Sequence, residues 1–369
     1  MQVNRQEYIK NKALSVQGRY VTLDHILPFL SSMTVHLNLE QVGISVLGLP
    51  IQSLTIGSGK LKILMWSQMH GNESTTTKAI LDLLNYLSTD GLLARTILEK
   101  CQLRIIPILN PDGAKAYTRL NANSVDLNRD AQTLTQPESK ALQTVYKLFK
   151  PDFCFNLHDQ RTIFNVADTA RPATVSFLAP TFDVDRTVSG NRLLAMRLIV
   201  AMNKALQLMI PGQVGRYDDS FNANCIGDTL QMMGIPTVLV EAGHFGEDYQ
   251  REYTRELIFW SLLSALETLA RDKLDDFVAD DYFLIPENNK LFFDILIKNA
   301  HHASPKYRKG SNLGILFQEK LVGNTIEFIS NIEVLGNGGI HYGHKTFDCA
   351  DPMALKMLKS QSFWSEIVI

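Results

Sequence analysis

Three apolar, strand-like runs in this chain each end on a residue able to bind a metal or move a proton. Residues 62–69 lead into His70-Gly71-Asn72-Glu73, residues 152–157 into His158, and residues 236–240 into Glu241. Helical patterns separate the runs, and such alternation predicts an α/β fold with a mostly parallel mixed sheet flanked by helices. In that architecture the carboxyl ends of the parallel strands open on one crevice. Residues far apart in sequence are therefore expected to converge. Two histidines and one carboxylate form the donor set of a catalytic zinc site that keeps a position for water, and a further carboxylate beside it can serve as base.

The spacing of apolar residues and of turn formers predicts strands at 61–69, 102–109, 152–157 and 236–240, with helices at 74–88, 137–149, 186–208 and 249–270. Asn110-Pro111-Asp112-Gly113 carries a turn signature. Beyond about residue 280 the pattern changes to short strands broken by polar and glycine turns, at 283–285, 291–297, 314–318 and 325–334. Two units are expected: a catalytic domain over 1–280 and a small β-rich C-terminal domain over 281–369.

An apolar fraction of 45% with 20% charged residues suits a globular protein with a sizeable core. The formal net charge of −2 gives no reason to expect nucleic acid or an anionic membrane as partner. No apolar run approaches the length of a membrane span. Cys101, Cys154, Cys225 and Cys349 are scattered without Cys-x-x-Cys spacing, which points to a reducing compartment. Residues 1–11 are polar and lack an apolar signal-peptide core, so a cytoplasmic location is expected. Oligomeric state leaves no trace in the sequence.

Each candidate residue has a plain structural alternative. Glu73 could serve only the N-terminus of the following helix, where a carboxylate is favoured. His158 could be a hydrogen-bonded strand-end residue, and Glu241 the partner of a nearby cation. The context favours chemistry, because all of them close buried-type strands, and a carboxylate there is costly unless paired or working. Segment 110–130 adds Arg119, Arg129 and Asn128 in an Asn/Asp-rich stretch. Guanidinium groups grip carboxylates bidentately and can stabilise a developing oxyanion. A substrate bearing a carboxylate follows.

These motifs resemble the zinc carboxypeptidase family, the metallocarboxypeptidases related to carboxypeptidase A. The matching residues are His70-Gly-Asn-Glu73, Asn110-Pro-Asp-Gly113, Asn121-Ala-Asn-Ser-Val-Asp126-Leu-Asn128-Arg129, Asn156-Leu-His158 and Glu241, across about residues 40–270. The resemblance implies one Zn2+ per chain, bound by His70, Glu73 and His158. It makes Glu241 the general base and acid, Arg119 the group that polarises the scissile carbonyl, and Asn128 with Arg129 the grip on the substrate's terminal carboxylate. Asp126 resembles the carboxylate that orients a zinc-bound histidine. Tyr217 falls where the family places a mobile tyrosine, although Gly215-Arg-Tyr217 is a loose match. Asp228 lies where the family sets the floor of the specificity pocket, or else caps a helix.

Asn72 departs from the arginine of digestive members and suggests a bacterial-type or amidase-like branch. The implied activity is cleavage of an amide bond beside a carboxylate-bearing residue of a small peptide, including cell-wall peptides at a γ-D-glutamyl to diaminopimelate bond. The sister group of aspartoacylases and succinylglutamate desuccinylases shares much of the constellation and carries a C-terminal β domain. Deacylation of an N-acyl amino acid is accordingly the second reading. A non-catalytic binding protein is the third, disfavoured because every expected catalytic position is filled.

Overall fold

A computed structural model describes residues 4–33, 37–335 and 339–368. Among the described residues, nine strands precede residue 280: β1 (Asn38–Ile44), β2 (Pro50–Ile56), β3 (Leu61–Trp66), β4 (Cys101–Ile106), β5 (Phe153–Asp159), β6 (Asn165–Val166), β7 (Val175–Leu178), β8 (Val214–Arg216) and β9 (Thr237–Ala242). All but β6 form one sheet in the order β1-β2-β4-β3-β5-β9-β7-β8. The four central strands β4, β3, β5 and β9 run parallel. The flanking pairs β1–β2, β2–β4 and β7–β9 are antiparallel.

Side chains alternate between two cores, as the two-residue period of a strand requires. Ile63 and Met65 join the larger core with the helices Thr75–Leu87, Gly190–Gln207 and Glu252–Ala270. Leu64 and Trp66 face the opposite core, which holds Leu142, Val145 and Tyr146 of helix Pro137–Phe149. Covering on both faces explains the unbroken apolar strands; all seven residues of β5 are buried. Helix Thr75–Leu87 is bound to helix Glu252–Ala270 by the fully buried pair Asp82–Arg255 (2.5 Å), where Tyr8 also donates to Asp82. Among the described residues no helix is long and apolar enough to cross a membrane.

The C-terminal unit contains β11 (Phe292–Lys298), β12 (Asn312–Val322), β13 (Thr325–Leu335) and β14 (Tyr342–Asp348), in the order β13-β12-β11-β14. Before it, β10 (Asn288–Asn289) pairs with β6 of the first unit. Strands β12 and β13 make a long hairpin whose two-residue turn sets Gly323 at φ +59°, a conformation glycine adopts without a Cβ penalty. Its own core gathers Ile295, Ile297, Leu313, Ile315, Phe347 and Leu358.

Several local expectations change. Asn110-Pro-Asp-Gly113 is no free turn: Pro111–Ala116 is a short helix, with the Asn110 side chain accepting from the Gly113 N–H as its cap. The strand expected at 283–285 is a 3-10 helix, Ala279–Leu284, because Tyr282 and Ile285 bury into the main core. Strands β7, β8 and β14 are short or half-polar and gave no periodic signal.

Candidate active site and metal centre

The turn after β3 is shaped by backbone contact. A Cβ on Gly71 would lie 1.9 Å from the carbonyl carbon of Gly113, so the two glycine-bearing segments touch main chain to main chain. Asn110 holds them together, donating from Nδ2 to the Met69 carbonyl (3.2 Å) while capping Gly113 (2.8 Å). Buried Gln68 adopts φ +44° and donates to the carbonyls of Gly71 (2.8 Å) and Val21 (3.0 Å). Asn-Pro-Asp-Gly is thus the backing that fixes His70 and Glu73.

Three elements then converge. His70 Nδ1 lies 2.9 Å from Glu73 Oε1 and 3.1 Å from His158 Nδ1, and His158 Nδ1 lies 2.8 Å from Glu73 Oε2. One donor atom from each residue falls within 4.8 Å of the others, and all three residues are buried. Two imidazole nitrogens turned toward each other and toward one carboxylate leave a centre that suits a divalent cation, so the donor set fits zinc. The outer nitrogen of His70 meets Asp126 Oδ1 at 3.0 Å, the arrangement that fixes a ligand's tautomer and orientation. The Asp159 N–H donates to Glu73 Oε2 (3.1 Å).

Electrostatics agree. Burial would raise the Glu73 carboxyl, but His70 and the hydrogen bonds from both histidines outweigh it and hold the group well below the usual carboxylate range. For His70, burial opposes protonation, while Glu73 and Asp126 more than offset it. Burial prevails at His158 and lowers it. A carboxylate kept ionised against its own desolvation marks a place that favours positive charge.

Glu241 sits in register with His158, on β9 beside β5. Burial, then Glu73 and Asp159, push its carboxyl well above the ordinary value, against the pull of Arg119 and Arg251. A raised carboxyl next to a metal site is suited to accept and return a proton. Arg119, half exposed, reaches Glu73 Oε1 (3.2 Å) and Asp126 Oδ2 (3.1 Å). The Tyr217 hydroxyl is held far above its ordinary range by burial, then by Glu241 and Glu73, which places it in the field of the same carboxylates; its ring stacks edge-on with Phe164 at 5.3 Å.

Asn128 and Arg129 form a short 3-10 turn, Leu127–Arg129, whose Asn128 N–H donates to Asp126 (2.9 Å). Arg129 is exposed and donates to the Asn128 carbonyl (2.9 Å). Asp228 is buried in the first turn of helix Ile226–Met232 and accepts from the backbone N–H groups of Asn222 (3.1 Å) and Thr181. Burial pushes its carboxyl up to about 6, with nearby Arg129 and Arg192 acting in the opposite sense.

Other groups at the site carried no motif. Arg19, from the N-terminal segment, donates to Asp159 Oδ2 (3.0 Å), to Thr75 Oγ1 (3.0 Å) and to Glu319 on β12 (3.1 Å). The Tyr117 hydroxyl also bonds Glu319. These groups, with Arg161, Thr162 and Arg251, surround a cleft of about 480 Å³ that also touches Glu73 and Arg119. Asp159 could have been suspected from its place next to a ligand. Arg19 and Glu319 could not, because their partners lie 56 to 300 residues away.

Fold and site together define a metallocarboxypeptidase-type scaffold with a candidate His-Glu-His metal centre. The family described as zinc carboxypeptidase matches residues 31–153. A probable carboxypeptidase 2 of Arthroderma benhamiae is 29% identical over 102 residues, covering 28% of this chain and 19% of that protein. Carboxypeptidase SOL1 of Arabidopsis thaliana is 31% identical over 155 residues, covering 36% of this chain and 32% of its own. The chain thus spans between a fifth and a third of these relatives. A metallo-carboxypeptidase from Burkholderia cenocepacia shares the fold at TM-score 0.56 and 18% identity, covering 68% of this chain and 70% of that one. One from Pseudomonas aeruginosa, solved with (2-guanidinoethylmercapto)succinic acid, does so at 0.55 and 20%, covering 69% and 70%. The resemblance read from the motifs is borne out by the family match and the fold, and the family implies zinc.

Proposed function

We propose that this protein is a zinc-dependent amide hydrolase of the carboxypeptidase type, releasing a carboxyl-terminal residue from a small peptide. The carrying observation is the convergence of His70 Nδ1, His158 Nδ1 and the Glu73 carboxylate, with Glu241 in register beside His158. Zinc bound by these residues supplies Lewis acidity toward water and a carbonyl oxygen. Glu241 accepts the proton of the attacking water and delivers it to the leaving nitrogen. Arg119, anchored on Asp126, offers N–H donors to the carbonyl oxygen as charge develops. Asn128 and exposed Arg129 hold the substrate's terminal carboxylate, with Tyr217 bordering the same space. The relatives and neighbours described above are carboxypeptidases, so the N-acyl amino acid deacylase reading is not favoured.

The test is product mass spectrometry after incubating zinc-loaded protein with mixed peptides, muropeptides and N-acyl amino acids. Release of a carboxyl-terminal residue, or of diaminopimelate, supports the reading. Release of a free acid from an acyl amino acid alone would replace it with deacylation. Glu241→Gln serves as the control: it is expected to retain zinc while kcat falls by about 10²–10⁴-fold, the contribution of a general base. Near-normal turnover in that variant would remove Glu241 from the mechanism.

A further inference from the structure

The cleft beside the metal centre is closed by the C-terminal unit. Its walls include Leu316, Phe317, Gln318 and Glu319 of β12 and Asn331 of β13, facing Asn72, Arg119 and residues 159–162 of the first unit. Neither Asn128 nor Arg129 lines it. If those two residues take the terminal carboxylate, this cleft is the space left for the other side of the scissile bond. That assignment rests on the carboxypeptidase-type reading above.

The wall is fastened at several points to the end of β5 and the loop that follows it. Arg19 bridges Asp159 (3.0 Å) and Glu319 (3.1 Å). Buried Asp294 accepts from the Phe317 N–H (2.8 Å), the Thr162 hydroxyl (3.2 Å) and the Tyr249 hydroxyl (3.1 Å). His344 Nε2 lies 2.8 Å from the Thr162 carbonyl oxygen. The Tyr249 ring packs edge-on against Phe317 and Phe328, at 5.4 and 5.3 Å. The cleft, about 480 Å³, is of small-molecule size.

Its charges are unequal. Four guanidinium groups, Arg19, Arg119, Arg161 and Arg251, line the cleft with three carboxylates, Glu73, Asp159 and Glu319. Arg19 and Arg119 are each held by two acids. Arg251 is buried and bonds only backbone carbonyls, of Ala242 and of Gln160 (2.7 Å for the latter). Arg161 is exposed at the rim and makes no ion pair among the described residues. Two cations thus face the cleft without a carboxylate of their own.

We propose that hairpin β12–β13 walls the acyl side of the active site, restricting the enzyme to substrates with a short acyl portion, and that Arg161 and Arg251 receive an anionic group on that portion. The substrate class is then a small peptide or peptide-like amide carrying a carboxylate on each side of the cleaved bond.

The experiment uses zinc-loaded full-length protein and three substrates that share one released residue. Their acyl portions are one neutral residue, one glutamyl residue, and four residues. The expected kcat/KM for the glutamyl substrate exceeds that of the neutral one, and that of the four-residue substrate, by at least about tenfold, or 1.4 kcal/mol. Arg161→Gln is expected to narrow the glutamyl-to-neutral ratio, and Phe317→Ala to raise the four-residue rate relative to the one-residue rate. Because both readouts are ratios within one protein sample, partial unfolding of a variant does not mimic them. Calorimetric binding of the same substrates to zinc-loaded Glu241→Gln reads the cleft without turnover. Equal rates for all three substrates would overturn the inference and leave the hydrolase reading standing. Discriminating affinities with no turnover in the wild type would do the reverse.

Discussion

Asp126 shows how one side chain ties the candidate metal centre to Arg119 and Asn128. One oxygen takes the His70 ring nitrogen and the Asn128 N–H, and the other takes two donors from Arg119. Burial would raise this carboxyl, but the His70 contact and Arg119 hold it well below its ordinary range. Asp126→Asn is expected to weaken zinc affinity by about 10–100-fold, because it loosens the tautomer and ring orientation of His70. Competition against a chromophoric chelator measures this, and unchanged affinity would detach Asp126 from the metal. Asp228 makes a different statement. Its folded pKa, about 6 against an ordinary 3.8, means that the folded state binds its proton more tightly than the unfolded chain. Stability from this group is therefore full below pH 4 and lost as pH rises through 6. Asp228→Asn is expected to raise Tm at pH 7–8 relative to wild type and to leave it nearly unchanged at pH 3.5. The largest gain is roughly 3 kcal/mol, the equivalent of the shift. Thermal melts at the two pH values decide, and a deficit for the variant at pH 7 would mean that ionised Asp228 has a closer cation than Arg129.

At the scale of elements, the strands that matter were legible because their residues are apolar on both faces and their ends are not. Residues 61–66, 153–159 and 237–242 are strands, and His158 and Glu241 lie in the last turns of pleat that pair β5 with β9. Helix Pro137–Phe149 matches its expected span, marked by proline in the first turn. Asn110-Pro-Asp-Gly113 was recognisable as punctuation, yet its purpose was not. Only packing shows that it abuts the His70–Glu73 turn with no room for a side chain between them. Gly71→Ala would force the two segments apart and is expected to destabilise the protein by about 3 kcal/mol, the upper part of the usual overpacking range. Zinc stoichiometry should fall with it. Full metal content together with an unchanged melting temperature would show that the contact can relax.

For the whole molecule, the decisive residue is Arg19. It lies outside every motif, yet it joins the N-terminal segment, the end of β5 and strand β12 in one cluster, with Arg19 and Asp159 buried and Glu319 half-buried. Removing one partner from such a cluster strands the others, at a cost of about 3–5 kcal/mol for a buried pair. Arg19→Ala is expected to increase amide hydrogen exchange across β12 and β13 more than across the central strands β3 and β5. A uniform rise would indicate general loosening and not release of the C-terminal unit.

The sequence alone determined the sheet-forming runs, their chemistry-bearing ends and the candidate metal donors His70, Glu73 and His158 that the fold brings together, because apolar periodicity and strand-end placement are local properties written within a dozen residues. What only the tertiary structure decided is the enclosure of the site. Arg19 and Glu319 are 300 residues apart, and His344 meets Thr162 across 182. Contacts at that separation leave no local pattern in composition or spacing. They exist because burying the apolar faces of two units brings the hairpin against the cleft, and the charges there must then find partners within reach.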